Sequence, residues 1–448
     1  MTIIEKETVL APAPLVRPDA LLARADHRLT RTDGVRARLA RVIVRELLAR
    51  MTRERLTVVD RSLGASTVVT YGDPKPAGHA PLAATIDVHD GRAWTALASE
   101  GSIGLGRGYV EGWWTSDDPV TVVRIIIRNI EWVDELRNRM AHRTSWVTDR
   151  VRAVLPRPGR SKNKEDIASH YDLGNEFFRL FLDDTMTYSA AVFPSAEAAL
   201  AQASQHKYDR LLAKLGVRSE HSILEIGTGW GGFALRAVDT TGCRVTTTTI
   251  SGEQLHEASR RLDAAGLSGS VELKDADWRD LTGQFDRVAS IEMIEAVDWR
   301  DYDRYFATIE RCMKPDGLAA IQAICVPDRR YERTKNTEDF IRRFVFPGGF
   351  LPSIRAISSS VARSTSMQIV DVEDLSAHYS ETLRRWRETF DERIDEVMAL
   401  GLDARFCRLW RFYLAYCEAG FSERHCTVNQ IVFAGRQWRP ESLDLRST

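Results

Sequence analysis

The amino-acid sequence predicts an α/β protein in which a doubly wound, Rossmann-like domain follows a smaller N-terminal α+β domain. Three observations lead to this prediction. From about residue 165 onward, short apolar strands alternate with helical stretches. A glycine-rich turn at residues 225–232 joins one of these strands to a helix. Before residue 137, several short β-type segments follow one another and are flanked by helical patterns.

The N-terminal part begins with a helical pattern over Val35–Leu48, in which apolar side chains lie near one face and arginines are interspersed. Such a basic amphipathic helix either rests on a lipid surface or packs on its own domain. Predicted strands follow at residues 56–60, 66–72, 83–90 and 93–99. Tight glycine turns are predicted over Gly101–Trp114, and a buried helix at residues 120–133.

Four segments are expected along the 448 residues. They are a disordered tail at 1–25, a lipid-associated α+β domain at 26–136, a basic linker at 137–164 and the catalytic domain at 165–448. The linker carries nine Lys or Arg residues against one acidic residue. It is either a solvated connection or a strip that meets anionic lipid headgroups, at about 1 kcal/mol per basic residue.

In the larger domain, strands are predicted at residues 222–227, 244–251, 271–278, 285–293 and 317–326, with helices at 229–240 and 253–266. A parallel sheet follows from this alternation.

Bulk composition narrows the class of protein. The net charge of -1 gives no global attraction to nucleic acid, so no nucleic-acid partner is expected. Six cysteines without a C-x-x-C pair, and no histidine cluster at zinc spacing, predict reduced thiols and no metal site. The first residues lack the basic start of a signal peptide, and no apolar run reaches the roughly 18 residues of a spanning helix. We therefore expect a cytoplasmic protein, peripheral to the inner face of the plasma membrane.

The glycine-rich turn predicts a nucleotide-type cofactor. Gly227, Gly229 and Gly232 satisfy G-x-G-x-x-G, which also occurs in nicotinamide-binding domains. Such a site needs an acidic residue about 20 positions later, and the second strand ends in Thr247–Ile250 without one. S-adenosylmethionine fits better, because Glu225 ends the first strand and Trp278, after the third, can stack on adenine. The alternative for Trp278 is a core residue.

Several motifs occur in order along the chain. They are His170-Tyr-Asp-Leu-Gly-Asn-Glu-Phe-Phe, Thr187-Tyr-Ser-Ala-Ala-Val-Phe, Glu225-Ile-Gly-Thr-Gly-Trp-Gly-Gly, Thr249-Ile-Ser-Gly-Glu-Gln, Asp277-Trp-Arg-Asp-Leu, Phe346-Pro-Gly-Gly-Phe-Leu-Pro-Ser and His378-Tyr-Ser-Glu-Thr-Leu. Together they resemble the cyclopropane-fatty-acyl-phospholipid synthase and mycolic acid methyltransferase family, from about residue 165 to residue 435. Gly104–Trp114 resembles the full-length, phospholipid-acting branch.

The resemblance implies roles for individual residues. The implied cofactor contacts are Tyr188, Ser189, Gly227, Gly229, Thr249, Gln254, Trp278 and Arg279. The implied catalytic residues are Glu295, the family's active-site glutamate, and Tyr379, its active-site tyrosine. On the sequence alone, Glu295 is equally well explained as an N-cap or surface carboxylate.

The chain departs from the family pattern at three positions. Ala190 replaces a cysteine, Ala296 replaces a histidine, and Gln322 replaces a second histidine in a strand. In cyclopropane synthases the glutamate, that second histidine, the cysteine and the tyrosine surround a bicarbonate that acts as base. Bicarbonate therefore stays an open second cofactor, and the replacements argue against a site of the usual form. Gln322 is a catalytic candidate or a hydrogen-bonded core amide.

The pair Glu-Met-Ile-Glu295-Ala-Val and Ile-Gln322-Ala-Ile is similar to an actinobacterial subgroup that makes tuberculostearic (10-methylstearic) acid through a 10-methylene intermediate. The resemblance thus implies methyl transfer to the double bond of an oleoyl-type chain in a membrane phospholipid. Cyclopropane synthesis, or catalytically silent lipid binding, remain alternatives. A methylene product would need a reductase partner, and a homodimer is left open.

Overall fold

The computed structural model describes residues 34–62, 65–72, 81–129 and 173–440. The predicted tail at 1–25 and basic linker at 137–164 lie outside the described residues, as do residues 26–33 and 130–136. Within the described part, no helix is both long enough and apolar enough to cross a bilayer. All six cysteines are free thiols, as predicted.

The N-terminal domain is a small mixed sheet covered by helices. Its elements are α1 (Gly34–Leu48), β1 (Arg55–Asp60), β2 (Thr67–Tyr71), β3 (Ala83–Val88), α2 (Arg92–Glu100), α3 (Ser102–Val110), β4 (Trp114–Thr115) and α4 (Pro119–Asn129). The sheet order is β2-β1-β3-β4, with β1 parallel to β3 and antiparallel to β2. The first helix and the first three strands are confirmed where the sequence predicted them.

The strand predicted at residues 93–99 is wrong, because this segment is helix α2. Its buried residues are Ala93, Trp94 and Ala96, a spacing that belongs to a helix face rather than to the alternation of a strand. The three alanines of the segment also favour a helix.

The prediction of tight turns over Gly101–Trp114 is also wrong, because most of this segment is helix α3. Its glycines permit close packing instead. A Cβ on Gly104 would lie 2.0 Å from the carbonyl oxygen of Ala96, and a Cβ on Gly106 would lie 2.1 Å from the ring of Phe340. The missing side chains therefore let α3 approach its neighbours.

The catalytic domain contains one seven-stranded sheet. Its strands are β5 (Ser222–Ile226), β6 (Arg244–Thr249), β7 (Val271–Asp275), β8 (Phe285–Ile291), β9 (Met313–Cys325), β10 (Gln368–Asp374) and β11 (Thr427–Ala434). Its helices are α5 (Asn175–Arg179), α6 (Leu200–Lys214), α7 (Gly232–Thr241), α8 (Gly252–Ala264), α9 (Tyr302–Cys312), α10 (Asp328–Thr334), α11 (Phe340–Phe344), α12 (Ile354–Ser364), α13 (Ser376–Glu392), α14 (Ile394–Ala399) and α15 (Ala404–Ser422).

The sheet order is β10-β11-β9-β8-β5-β6-β7. The five strands from β5 to β9 are parallel, which confirms the predicted doubly wound core. The strands β10 and β11 are antiparallel additions at one edge. Because β5 and β8 are neighbours in the middle, the turns that follow their carboxyl ends meet at one place, where a ligand crevice is expected.

The two domains share one hydrophobic core, which runs from α1 through the N-terminal sheet to α13 and α15. Ion pairs reinforce the contact. Arg124 and Arg128 of α4 both bind Glu423, at 2.7 and 2.6 Å, and Arg405 of α15 binds Glu111. The N-terminal domain is thus packed on the helices that follow the motif at residue 378.

Candidate active site

The glycine-rich turn leaves β5 at Ile226 and enters α7 at Gly232. Gly227, Gly229 and Gly231 have φ values of 99°, 52° and 84°, which L side chains rarely adopt. The amide groups of Gly227 and Thr228 both donate to the carbonyl of Thr248, at 3.1 and 2.9 Å. These hydrogen bonds therefore hold the turn against the end of β6, at the carboxyl edge of the sheet.

A cavity of about 190 Å³ lies against this turn. All eight residues that the sequence predicted as cofactor contacts line it: Tyr188, Ser189, Gly227, Gly229, Thr249, Gln254, Trp278 and Arg279. They come from four separate segments of the chain, so the fold brings them together.

One wall of the cavity consists of polar groups held in place by hydrogen bonds. Thr249 Oγ1 donates to Gln254 Oε1 at 2.9 Å, and Ser251 caps α8 by accepting from the Gln254 amide. Beyond them, the Arg279 guanidinium lies 4.6 Å from the centre of the Trp278 ring and is fixed by Asp277. The Trp278 indole is 8% exposed and lines the cavity, so it is a core residue that also faces the ligand space.

These residues fit S-adenosylmethionine. A Cβ on Gly229 would meet nothing within 4 Å, so the turn leaves room for a ligand beside its backbone. Thr249 and Gln254 supply hydroxyl and amide groups for a ribose, and Trp278 supplies a flat ring for adenine. The buried carboxyl of Glu225 accepts from Thr247 Oγ1 at 2.5 Å, and burial raises its pKa to about 8.

Glu295, the predicted catalytic glutamate, does not line this cavity in the structure. It lies in a 3-10 turn after β8, and its Oε1 accepts from the Ile324 amide at 2.6 Å. Its other oxygen is buried and has no hydrogen-bond partner among the described residues. Desolvation, together with the charge of Glu292, raises the pKa of Glu295 to about 8. It is neither a surface carboxylate nor an N-cap.

A second carboxylate, Glu292, lines the cofactor cavity itself. It directly follows β8, and its backbone amide donates to the carbonyl of Gln322 at 2.7 Å. Its Oε1 accepts from the Ala190 amide and from Gln322 Nε2, both at 2.8 Å. Its Oε2 accepts from the Tyr379 hydroxyl at 3.0 Å. Burial raises the pKa of Glu292, while Lys207 and these donors oppose the rise.

Gln322 and Tyr379 therefore meet at Glu292 rather than at Glu295. The Gln322 side chain is fully buried and lies behind Glu292. Its Oε1 accepts from Gln430 Nε2 at 3.2 Å, which turns its amide nitrogen toward the carboxylate. Of the two alternatives for Gln322, the structure shows the hydrogen-bonded core amide. Its side chain also orients the Glu292 carboxylate, which lines the cavity.

Lys207 is a buried cation near the same place. Its side chain is fully covered, and Nζ donates to Ser189 Oγ at 2.7 Å. Burial lowers the pKa of Lys207 to about 8, against the opposing charges of Glu292, Asp183 and Glu225. The positive charge of Lys207 thus partly balances the carboxyl groups of Glu292, Asp183 and Glu225 near the cavity.

Aromatic rings surround Tyr188, which lines the cavity. Its ring lies 5.3 Å from both Phe178 and Trp386, measured between centroids, and its hydroxyl is 2.9 Å from that of Tyr413. Phe346 lies 6.5 Å away. The side of the cavity around Tyr188 is therefore apolar and rich in π faces.

Sequence reasoning missed Glu292 and Lys207, although both carried a signal. Glu292 immediately follows an apolar strand, at the edge where parallel strands place their ligand residues. Lys207 lies four residues after Ala203 and four before Leu211, on the apolar face of α6. A charged residue at such a position needs a buried partner.

With this geometry established, comparison with known proteins identifies the family. A model of the mycolic acid cyclopropane synthetase family matches residues 159–431. The chain belongs to this family. It is 41% identical over 371 residues to the tuberculostearic acid methyltransferase UfaA1 of Mycobacterium tuberculosis, covering 81% of this chain and 86% of the relative.

Two further relatives agree with this assignment. The chain is 33% identical over 359 residues to the cyclopropane-fatty-acyl-phospholipid synthase of Escherichia coli, covering 80% of this chain and 89% of that one. The crystal structure of the mycolic acid cyclopropane synthase CmaA1 complexed with SAH and CTAB matches with a TM-score of 0.57 and 29% identity. That match covers 60% of this chain and 98% of CmaA1.

The protein is therefore an S-adenosylmethionine-dependent fatty acid methyltransferase, and its family methylates or cyclopropanates unsaturated acyl chains. The nicotinamide-dependent dehydrogenase that the glycine spacing had left open is excluded.

Proposed function

We propose that this enzyme transfers a methyl group to the double bond of an oleoyl-type chain in a membrane phospholipid and forms a 10-methylene chain, the precursor of tuberculostearic acid. The observation that carries the proposal is that the cofactor residues and the Glu292 carboxylate line one cavity beside an aromatic cluster. The 41% identity to a tuberculostearic acid methyltransferase supports the choice of product. A reductase would then have to saturate the methylene group.

The chemistry explains why such a cavity is needed. An isolated alkene is a weak nucleophile, and S-adenosylmethionine supplies a strongly electrophilic methyl group. The turn at Gly227–Gly232 and the side chains of Thr249 and Gln254 are expected to fix the cofactor, so that the methyl group points toward Glu292. Alignment of reacting atoms in this way is worth roughly 7–11 kcal/mol of the barrier.

The alkene electron pair forms the new carbon–carbon bond, and the carbon–sulfur bond electrons remain on sulfur. A carbocation is left on the neighbouring chain carbon. The apolar surroundings of Tyr188 exclude water, which would capture the cation as an alcohol. The π face of Tyr188, which lines the cavity, is expected to stabilise the positive charge.

The product depends on the next step. Direct proton loss from the new methyl group with ring closure gives a cyclopropane. A hydride shift from the methyl-bearing carbon to its neighbour, followed by loss of a methyl proton, gives an exocyclic methylene group. Ala190 and Gln322 replace the cysteine and histidine of the usual base site, and we assign the second route to this altered site.

The enzyme is also proposed to work at the membrane surface. The apolar side chains Val35, Leu39, Val42 and Ile43 of α1 are 74%, 62%, 57% and 47% exposed. Arg36 and Arg38 of the same helix are exposed as well. An exposed apolar stripe beside arginines suits an anionic lipid surface, where a phospholipid-acting enzyme finds its substrate.

Product identification tests the proposal. Purified enzyme is incubated with S-adenosylmethionine and vesicles of dioleoyl phospholipid, and the acyl chains are analysed by mass spectrometry and proton NMR. We expect S-adenosylhomocysteine release and a chain with a methylene branch. A cyclopropane as the main product would contradict the second route. No methyl transfer to the lipid would contradict the function and leave a catalytically silent lipid-binding relative.

A further inference from the structure

Three hydrogen-bond donors converge on the Glu292 carboxylate inside the cofactor cavity. The Ala190 amide and Gln322 Nε2 reach Oε1 at 2.8 Å, and the Tyr379 hydroxyl reaches Oε2 at 3.0 Å. The donors come from three distant parts of the chain. Together they form an anion-binding cradle, and the chain fills it with its own carboxylate.

The position of Glu292 is costly to the fold. Its φ is 49°, in the left-handed region, which costs a non-glycine residue about 1–2 kcal/mol. Desolvation of its carboxyl group adds to that cost. Among the described residues, no lysine or arginine nitrogen lies within ion-pair distance of it. Backbone strain and a buried carboxylate without a direct ion pair, at one residue, are typical of a functional group rather than of a packing residue.

Glu292 also lies where a base is required. Its side chain lines the same cavity as Ser189, Gly227 and Gly229, so it faces the space of the transferred methyl group. Glu295 is turned instead toward the Ile324 amide and does not line the cavity. Tyr379 and Gln322 both contact Glu292 and so hold its carboxylate in one orientation.

We propose that Glu292 is the catalytic base of this enzyme, and that its carboxylate takes the place of the bicarbonate ion on which cyclopropane synthases depend. The inference rests on the proposed function and deepens it. Bicarbonate would need the same residues, 190, 322 and 379, and their donors are already satisfied. A second anion beside Glu292 would in addition meet a like charge.

The step balances without a further reactant. After the hydride shift, the positive charge lies on the carbon that bears the new methyl group. A Glu292 carboxylate oxygen removes one methyl proton, and the electrons of that carbon–hydrogen bond become the second bond of the methylene group. Glu292 is left as a neutral carboxylic acid, which releases its proton to solvent after the product leaves.

Bicarbonate dependence and two substitutions test the assignment. Assays use degassed, bicarbonate-free buffer with S-adenosylmethionine and dioleoyl phospholipid vesicles, with and without added sodium bicarbonate. We expect wild-type turnover to be the same in both. Glu292→Gln should lower kcat by at least about 100-fold, the low end of general base catalysis, with unchanged affinity for S-adenosylmethionine by calorimetry. Glu292→Gly relieves the backbone strain and empties the cradle, so its lost turnover should return with bicarbonate.

A matched control is Glu418→Gln, which changes a buried carboxylate that pairs with Arg387 at 2.9 Å, away from the cavity. It should leave kcat unchanged. Wild-type turnover that requires bicarbonate would overturn the assignment, as would a Glu292→Gln or Glu292→Gly enzyme that works at the wild-type rate without added anion. A wild-type enzyme that transfers no methyl group at all would instead contradict the proposed function.

Discussion

Two glutamates three positions apart, Glu292 and Glu295, have different environments in this protein. Glu292 accepts three hydrogen bonds and faces the cavity, whereas Glu295 accepts one backbone amide and leaves its other oxygen unpartnered among the described residues. The resemblance pointed to Glu295 because the family motif places its glutamate there. The geometry favours Glu292 as the base, and Glu295 is a neighbouring carboxyl group outside the cavity whose pKa is raised to about 8.

Tyr379→Phe should change the pH dependence of catalysis. The Tyr379 hydroxyl donates to Glu292 and so stabilises the charged carboxylate, which opposes the raised pKa of Glu292. Without that donor the pKa rises further, and the base is charged only at higher pH. We expect the acid limb of the kcat/KM profile to move up by about one unit, the value of one hydrogen bond to a charged group.

The control for this profile is Tyr416→Phe, a tyrosine of α15 that does not contact Glu292. Its acid limb should coincide with that of the wild type. An unmoved acid limb in Tyr379→Phe would show that the titrating group is not Glu292.

Glu295→Gln should alter the pH dependence of stability. Desolvation and the charge of Glu292 raise the pKa of Glu295 from its ordinary value of 4.5 to about 8. The folded protein then binds a proton more tightly than the unfolded chain, so the stability that Glu295 contributes is present below pH 4.5 and falls as the pH rises to about 8. Glutamine does not ionise. Relative to wild type, the Tm of Glu295→Gln should therefore increase between about pH 5 and pH 8.5.

Glu257→Gln is the control for this Tm measurement, because the pKa of Glu257 is lowered rather than raised. Hydrogen bonds from Arg260 and Arg179 lower the pKa of Glu257 to about 2, so its titration lies below this pH range. Its Tm difference from wild type should be flat over the same interval. A flat difference for Glu295→Gln as well would contradict the pKa assigned to Glu295.

At the residue scale, all eight residues predicted as cofactor contacts line one cavity, whereas the predicted catalytic residue Glu295 lies outside it. Gly227, Gly229 and Thr249 belong to short motifs whose backbone geometry is local, so their positions follow from the order of strand, turn and helix. The contacts of Glu292 with residues 190, 322 and 379 join segments more than 25 residues apart. No local pattern reveals such a convergence.

At the scale of elements, helix α13 organises the loop that carries Tyr188. Tyr379 donates to Glu292, Thr382 Oγ1 accepts from the Ala191 amide at 3.2 Å, and His378 Nδ1 accepts from the Phe193 amide at 3.2 Å. Three neighbouring positions of one helix thus fix the loop and the carboxylate together. This explains the motif at residue 378 in physical terms.

Gly106→Ala tests the role assigned to the glycines of α3. The added Cβ would lie 2.1 Å from the ring of Phe340 in α11, so the ring or the helix must move. Overpacking of this kind typically costs about 1–3 kcal/mol, which a urea unfolding curve measures as a lower midpoint. Gly269→Ala is the control, because its Cβ would meet nothing within 4 Å. Equal midpoints for both variants would contradict the close-packing explanation.

The elements that the sequence misassigned lie where tertiary packing decides. In α3, three glycines suggested turns. They are instead helical, and they lack side chains because neighbouring backbone atoms and aromatic rings occupy the positions where a Cβ would lie. The parallel strands β5 to β9 were assigned correctly because apolar or β-branched residues alternate along the chain with helical segments. The edge strands β10 and β11 were missed, since β10 has an exposed, mixed pattern and β11 joins the sheet only through distant pairing.

At the scale of the whole molecule, the N-terminal domain and the catalytic helices share one hydrophobic core, which joins helix α1 to the helices that surround the cavity. The domain boundaries expected at 137 and 164 fall outside the described residues and stay predictions. The exposed apolar side chains of α1 form a surface that is distant in sequence from the cofactor turn.

Val42→Asp should weaken binding to the membrane. The side chain is 57% exposed, so a charge there is tolerated in the folded protein but is unfavourable in a lipid interface. We expect less protein to sediment with anionic vesicles and little change in Tm. Val372→Asp, at a 46% exposed valine of β10, is the control and should sediment as the wild type does. Equal sedimentation of the two variants would exclude α1 as the lipid contact.

The proposed reaction is a methyl transfer followed by a hydride shift and loss of a methyl proton to Glu292. A dioleoyl phospholipid with deuterium on both alkene carbons tests this sequence most directly, with NMR used to locate the label in the product. We predict that both deuterium atoms are found on one carbon, next to the carbon that bears the methylene group. One deuterium on each of two carbons of a cyclopropane ring would contradict the proposed hydride shift.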